Sequence, residues 1–299
     1  MGLTSSLMKT ILVTGATGFL GKHLVRSLSA DYRLVLVARE PAQLARLHPT
    51  LGAQHRVVTP EQLMGGNDSE LNTTIDGVIH TATSYGRRGE SLRELTDCNL
   101  RLPLALLDIL QSNNAFFINC DTALPESLND YALSKAQFRE WAKRWCSQGD
   151  GRFFANLIIE QMIGPEDDND KFVNFIMSAC VNNQEKVDLT PGTQKRDFIY
   201  IDDIVSAFRC ILENAHDFTG WRDIPLGSGE AISIRDFAEL VLAITKAETA
   251  LNFGAVAYRD NEVMHSQADT TWLRQLGWEA HVRLEQGVRQ IVQSMRLSC

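Results

Sequence analysis

The chain has 299 residues, 44% hydrophobic and 22% charged, with 37 acidic against 29 basic side chains and a formal net charge of −8. At roughly 150 residues per domain this allows one large or two fused domains, with a core able to bury about three quarters of the unfolded surface. The acidic balance argues against a nucleic-acid partner, no apolar run reaches the ~18 residues of a membrane span, and the six cysteines (98, 120, 146, 180, 210, 299) form no CxxC pair of the zinc or disulfide kind. Met1–Met8 lacks the charged and apolar regions of a signal peptide, so a reducing, cytoplasmic setting is expected.

Taken in chain order, short β-branched runs alternate with helical stretches. Thr10-Ile11-Leu12-Val13 reads as a buried strand, and a helix with Leu20, Leu24 and Leu28 on one face follows. Leu34–Val37, Arg56–Val58 and Gly77–His80 read as strands two to four. Pro103 marks the start of a helix carrying Leu104, Leu107 and Leu110. Phe116–Asn119 is a fifth strand, Asn129 or Asp130 caps a helix through Tyr131, Lys135 and Trp141, and Phe153–Ile159 is a sixth strand. This alternation predicts an α/β fold with a doubly wound parallel sheet, a Rossmann fold. After Gly164-Pro165 the pattern changes. A polar loop over 166–170 leads to a short strand at Phe198–Tyr200, a helix at Asp202–Leu212 and two more helices around Ile234–Thr245 and Thr271–Gly277. Residues 1–164 are expected to form the nucleotide-binding domain, with segments near 196–226 returning to it. Residues 165–299 are expected to form mainly a smaller, mixed substrate lobe.

Gly15-Ala16-Thr17-Gly18-Phe19-Leu20-Gly21 follows the first strand and opens the first helix. Gly15 permits a tight turn, Gly18 lets backbone approach a pyrophosphate, and Gly21 lets helix and strand pack closely. The helix N-terminus offers unpaired N–H groups and a partial positive charge to the phosphates. Between a first strand and a first helix this spacing predicts a dinucleotide site. The second strand ends Val37-Ala38-Arg39-Glu40. Arg39 stands where a cation pairs with a 2′-phosphate, which favours NADP(H), whereas Glu40 one step on argues for NAD.

Tyr131 and Lys135 stand at i and i+4 on one helix face. An ammonium beside a phenol is expected to lower the phenol pKa toward working pH, and such a tyrosine exchanges a proton with a carbonyl or alcohol oxygen. Together with the glycine turn, Val78-Ile79-His80-Thr81-Ala82, Gly164-Pro165, Arg196-Asp197-Phe198-Ile199-Tyr200-Ile201-Asp202-Asp203 and Leu276-Gly277-Trp278, the chain resembles the extended short-chain dehydrogenase/reductase superfamily. His80–Gly86 and Phe253–Glu262 resemble most the branch of CDP-abequose and CDP-paratose synthases, which reduce the 4-keto group of a nucleotide-bound 4-keto-6-deoxyhexose with NADPH.

The resemblance implies that Tyr131 is the general acid and that Lys135 also holds the nicotinamide ribose. It implies that Thr81 and Ala82 line the cofactor, that Ser84 and Tyr85 border the sugar, and that Arg196 and Arg259 hold the sugar nucleotide. A third catalytic hydroxyl is implied just after the fifth strand. There the sequence reads Asn119-Cys120-Asp121-Thr122, a departure from the family. Thr122 is the first choice and Asp121 the second, with Cys120 as the remaining alternative. Ile158 and Ile163 also depart, standing where relatives often carry arginine and tyrosine, and the short link from Thr122 to Tyr131 implies an open pocket. The helices around 103–111 and 131–145 form a dimer interface in many relatives, so a homodimer is expected.

The remaining polar residues read as structural. Asp197, Asp202 and Asp203 are expected to fix a turn and cap a helix, and His80 to support its strand end. The acidic residues Glu166, Asp167, Asp168 and Asp170 read as a solvated loop rather than a metal site. The leading function is an NADPH-dependent 4-ketoreductase of a nucleotide sugar. Its competitors are a nucleotide-sugar 4-epimerase with tightly held NAD and a non-catalytic NADP-sensing protein on the same fold.

Overall fold

The structure, a computed structural model, describes residues 8–65, 74–110, 114–168 and 171–298. The chain begins with β1 (Thr10–Thr14), α1 (Phe19–Leu28), β2 (Arg33–Val37), α2 (Pro41–Leu47), β3 (Arg56–Val58), α3 (Pro60–Met64) and β4 (Gly77–His80). It continues with α4 (Leu92–Thr96), a π-helical turn (Asp97–Arg101), α5 (Leu102–Ile109), β5 (Phe116–Asp121), α6 (Asp130–Ser147) and β6 (Phe153–Ile159). Strands β1 to β6 pair in parallel in the order β3-β2-β1-β4-β5-β6. The parallel, doubly wound sheet is therefore as the sequence predicts.

The rest of the chain runs β7 (Gln161–Ile163), α7 (Phe172–Val181), β8 (Lys186–Leu189), β9 (Lys195–Tyr200), α8 (Ile201–Asn214) and β10 (Gly220–Leu226). Then come β11 (Ala231–Ser233), α9 (Ile234–Thr245), β12 (Ala250–Phe253), α10 (Thr271–Gln275) and α11 (Leu284–Ser298). β10 returns to flank β6 as the seventh strand of the large sheet, while β11-β9-β7 and β12-β8 form two small sheets. Two compact units result: one runs to Ile158 and takes in Ile211–Ile224, the other comprises Ile159–Cys210 and the chain from Pro225.

In the first unit one residue from each of five strands, Leu12, Val35, Val78, Phe117 and Phe154, meets Leu106 of α5 and Phe138 of α6 in a single buried cluster. Phe117 stacks on Phe154 at 4.9 Å and Phe154 on Trp221 of β10 at 4.7 Å, so a row of rings ties the strands together. Each fully buried phenylalanine contributes about 1.5–3 kcal/mol by leaving water.

Several expectations need correction. Pro103 stands in the first turn of α5, as expected. Missing from the expected elements is α4, which starts at Leu92, where Ser91 and Glu94 form a reciprocal capping box whose Ser-x-x-Glu pattern is plain in the sequence. Pro103 is tolerated because the π-helical turn just before it already breaks the ordinary bonding ladder, with the Leu102 N–H reaching the Asp97 carbonyl. The final stretch holds α11 besides the two expected helices, driven by buried Val288, Ile291 and Val292 at helical spacing. Asp197 and Asp203 do not cap α8. Asp197 accepts the backbone N–H groups of Ser228, Gly229 and Ala268, and Asp203 those of His281 and Val282, so both pin later loops of the second unit. Asp167 is not solvated: it is buried against Lys171 at 2.8 Å. Asp170 lies outside the described residues.

Candidate active site

The turn after β1 is shaped by close approach. Gly15 has φ +68°, and a β-carbon there would lie 2.5 Å from Thr81 Oγ1 and 2.7 Å from the Ala82 nitrogen. The end of β4 is thus packed directly on the glycine turn. Thr81 Oγ1 donates to the Thr14 carbonyl at 2.8 Å, and the Ala82 N–H donates to Thr14 Oγ1 at 3.2 Å. Buried His80 pairs its Nδ1 with the same Thr14 hydroxyl at 2.8 Å. Burial, and after it the Lys135 charge, holds His80 well below its ordinary pKa, so it is a neutral clamp between β1 and β4. Gly18 is the N-cap of α1 in extended backbone and makes no side-chain cap. A β-carbon on Gly18 would meet nothing closer than the Gly15 carbonyl at 3.2 Å. No capping side chain covers the N-terminus of α1, and this cradle with its partial positive charge fits the pyrophosphate of a dinucleotide. Thr17 and Phe19 are half-buried, and Leu20 is buried among core residues. Arg39 is exposed at the end of β2, next in order to β1 in the sheet.

The second group stands where α6 faces the end of β5. Asn129 caps α6 by accepting the Ala132 N–H at 2.9 Å, which fixes the rotation of the helix's first turn. The Thr122 hydroxyl lies near the Tyr131 phenol. Lys135, 1% exposed, donates from Nζ to the Cys120 carbonyl at 2.9 Å. The Tyr131 phenol differs from expectation. Burial first, then the neighbouring Tyr85, push it well above its ordinary value, while the Thr122 hydroxyl pulls it down. Lys135 is spent on a backbone carbonyl and does not depress the phenol. Lys135 itself is pushed down by burial, opposed chiefly by Asp121. The Cys120 thiol is pushed up to about 12 by burial, so it is no nucleophile.

Three residues here escape sequence reasoning. Asn99, 0% exposed in the π-helical turn, clamps Ser84 from both sides: its Oδ1 accepts the Ser84 N–H at 2.8 Å and its Nδ2 donates to the Ser84 carbonyl at 2.8 Å. It also donates to Ser134 Oγ at 3.0 Å, joining the β4–α4 loop to α6. Arg139 and Asn156 hold Asp121, by Nε at 3.3 Å and Nδ2 at 2.8 Å. Asp121 Oδ1 accepts the Thr122 N–H at 2.8 Å. With its side chain fully buried, Asp121 is turned away from any ligand. Of the three residues at the strand end, Thr122 is the one with a hydroxyl near the Tyr131 phenol.

Ser84 and Tyr85 follow from that clamp. The Ser84 hydroxyl donates to Glu90 at 3.3 Å. The half-exposed Tyr85 ring lies 5.1 Å from that of Tyr131, with the Arg87 guanidinium 5.3 Å from it on its own side. Arg196 and Arg259 belong to the second unit. Arg196 is ion-paired with Glu262 at 2.6 Å, and the Glu262 N–H donates to the carbonyl of exposed Arg259 at 3.1 Å, so one turn links the Arg196 side chain to the Arg259 backbone. Among the described residues no group of three or more His, Cys, Asp or Glu is placed to hold a metal. No helix among them is long and apolar enough to cross a membrane.

Residues 11–227 match the NAD dependent epimerase/dehydratase family. The chain belongs to that family. It is an enzyme of it by descent along most of its length: it is 33% identical over 291 residues to CDP-abequose synthase of Salmonella muenchen, covering 95% of this chain and 97% of the relative. It is 24% identical over 321 residues to dTDP-4-dehydro-6-deoxyglucose reductase of Escherichia coli, covering 96% and 97%. Among solved structures it is similar to UDP-glucose 4-epimerase of Thermotoga maritima with UDP-glucose, at TM-score 0.81, 20% identity and coverage of 97% and 99%. It is likewise similar to UDP-glucuronic acid 4-epimerase of Bacillus cereus with UDP-glucuronic acid and NAD, at TM-score 0.82, 21% identity and coverage of 97% and 100%. At these identities the two structures establish the shared fold.

Proposed function

We propose that this enzyme reduces the 4-keto group of a nucleotide-activated 4-keto-6-deoxyhexose with NADPH. The observation that carries the reading is the end-to-end similarity to CDP-abequose synthase, supported by a half-buried tyrosine acid near Thr122 on the same helix face as Lys135. Gly15, Thr17, Gly18, Phe19, Leu20, Gly21, Thr81 and Ala82 would hold the dinucleotide, and Arg39 its 2′-phosphate. When bound, the cofactor supplies the hydride. Tyr131 then gives its proton to the oxygen formed at the reduced carbon. Its raised pKa suits this role, because the phenol stays protonated at neutral pH and is a donor rather than a base. Thr122 orients the phenol and offers a second hydrogen bond to the same oxygen. Lys135 supports the cofactor ribose. Ser84 and Tyr85 border the sugar, and Arg196 and Arg259 hold the diphosphate through bidentate guanidinium contacts. In this assignment the first unit carries the cofactor and the second mainly the sugar nucleotide.

The exposed Leu133 and Trp141 on α6 support a homodimer through the outer faces of α5 and α6. The test of function is incubation with NADPH and a panel of CDP-, dTDP- and GDP-4-keto-6-deoxyhexoses, following loss of reduced-cofactor absorbance. Stoichiometric oxidation with one sugar is expected. The similarity to epimerases with NAD favours one rival reading. Purified protein that carries NAD and interconverts two sugars without net oxidation would establish that rival. For the cofactor, Arg39→Ala is expected to weaken NADPH by about 1.5–3 kcal/mol, one charge-assisted bond, and to spare NADH. Equal loss for both would remove Arg39 from the 2′-phosphate.

A further inference from the structure

The inner face of α6 carries three polar residues at i, i+4 and i+8, namely Tyr131, Lys135 and Arg139, and each meets a different group at the end of β5. Tyr131 meets the Thr122 hydroxyl, Lys135 the Cys120 carbonyl at 2.9 Å, and Arg139 the Asp121 carboxylate at 3.3 Å. Asp121 is the hub. Its Oδ1 takes the Thr122 N–H, its Oδ2 takes Asn156 Nδ2, and Asn156 is itself fixed by Asn119 at 2.9 Å and Asp223 at 2.8 Å.

We propose that Asp121 is a positioning residue: its buried carboxylate, clamped by Arg139 and Asn156, is the fixed counter-charge of the Lys135 ammonium and the anchor of the Thr122 backbone. This rests on the assignment of Tyr131, Lys135 and Thr122 as the working group. Lys135 Nζ is bonded to the carbonyl of Cys120, the residue just before Asp121, so the ammonium and the carboxylate stand at adjacent residues of the strand end. Burial holds His80 well below its ordinary pKa and pushes the Cys98 and Cys120 thiols up. Asp121, ion-paired with Arg139 at 3.3 Å, is the acidic group at this strand end. Removing water from around an ammonium favours its neutral form, and an anion held close by restores the charged form. Arg139 sets the strength of that anion by sharing it, and Asn156 holds it in place without adding charge.

The decisive variant is Asp121→Asn in the full-length protein, because an amide oxygen still accepts the Thr122 N–H while the charge is gone. Lysine labelled with ¹³C at Cε allows the Lys135 resonance to be titrated directly, assigned by its absence in Lys135→Met. The expected result is a Lys135 midpoint lower by roughly 1–3 pH units, the range for losing a nearby opposite charge. The alkaline limb of kcat should fall in parallel while KM for the sugar changes little. Arg139→Gln leaves the carboxylate unshared, so the midpoint should rise instead. If Asp121→Asn does not fold, the Asp121→Asn/Arg139→Gln pair leaves no unpaired charge and should still lower the midpoint. An unchanged midpoint in whichever of these variants folds overturns the proposal. The titration needs no substrate, so absence of turnover with the sugar panel would count against the proposed reaction and leave this test intact.

Discussion

Gly15 and Gly18 lie three residues apart in one turn, yet they should fail in different ways when replaced by alanine. At Gly15 the backbone has φ +68°, where a β-carbon costs about 1–2 kcal/mol, and the added methyl would also press on Thr81 Oγ1 at 2.5 Å and the Ala82 nitrogen at 2.7 Å. Backbone at the end of β4 is held by the Thr14 hydrogen bonds and yields little, so overpacking adds about 1–3 kcal/mol. The sum of about 2–5 kcal/mol, at roughly 2–4 °C per kcal/mol, predicts a Tm lower by roughly 4–20 °C. Gly18 has φ −77°, a conformation open to alanine, and its β-carbon meets only the Gly15 carbonyl at 3.2 Å. Gly18→Ala should therefore cost less than about 1 kcal/mol of stability, as expected for an N-cap change. Its methyl would stand at the N-terminus of α1, where a pyrophosphate must come close. A loss of cofactor affinity of tenfold or more, about 1.4 kcal/mol, is expected. Thermal melts without ligand and titration with NADPH by fluorescence separate the two effects. A Gly18→Ala protein that binds NADPH as tightly as the wild type, or a Gly15→Ala protein with an unchanged melt, would refute the reasoning.

Tyr131→Phe keeps the ring and removes the proton donor, so kcat should fall by roughly 10²–10⁴ with NADPH affinity nearly unchanged. Thr122→Val should cost less, about 1 kcal/mol for one neutral hydrogen bond; rates with the preferred sugar check both. Because burial raises the Tyr131 phenol, ultraviolet tyrosinate titrations of ligand-free wild type and Tyr131→Phe should coincide up to about pH 10, where unperturbed tyrosines titrate. A tyrosinate at lower pH that Tyr131→Phe removes would contradict the raised value. Asn99→Ala strands the Ser84 N–H and carbonyl, at about 1–3 kcal/mol for each group left unpaired. It should lower Tm by several degrees, and an unchanged melt would show that the clamp contributes nothing.

Much of the fold is legible because its signals are local. The β-branched runs, the glycine spacing and the Asn129 cap each concern a few adjacent residues, and each strand of the parallel sheet announces itself by being apolar on both faces. The start of α4 is equally local, in the capping box of Ser91-Leu92-Arg93-Glu94, while Pro103 marks the first turn of α5 and draws attention away from the shorter helix before it. What stays hidden is long-range. Asn99 looks like any helical asparagine until Ser84 folds back on it, and Asn156 looks like a polar interruption in an apolar strand until Asp121 lies beside it in register with Ile158. Asp197 and Asp203 sit where caps are expected, and their true partners lie 31 and 78 residues further along the chain.

The same distinction explains why the charge state of the Tyr131 phenol was misjudged. Spacing on a helix puts an ammonium near a phenol, but it does not say what else competes for that ammonium. Here the backbone of β5 takes it: the Cys120 carbonyl receives Lys135 Nζ, and Asp121 supplies its counter-charge. Burial is then left to act on Tyr131 without a cation to offset it, and it favours the neutral phenol. A neutral phenol donates and a phenolate accepts. The packing at the end of β5 therefore leaves the ligand-free phenol as a hydrogen-bond donor, the state from which the proposed reduction of a ketone would start. Sequence spacing identifies the pair, and the residues between Asn119 and Thr122 decide the charge state in which the phenol rests.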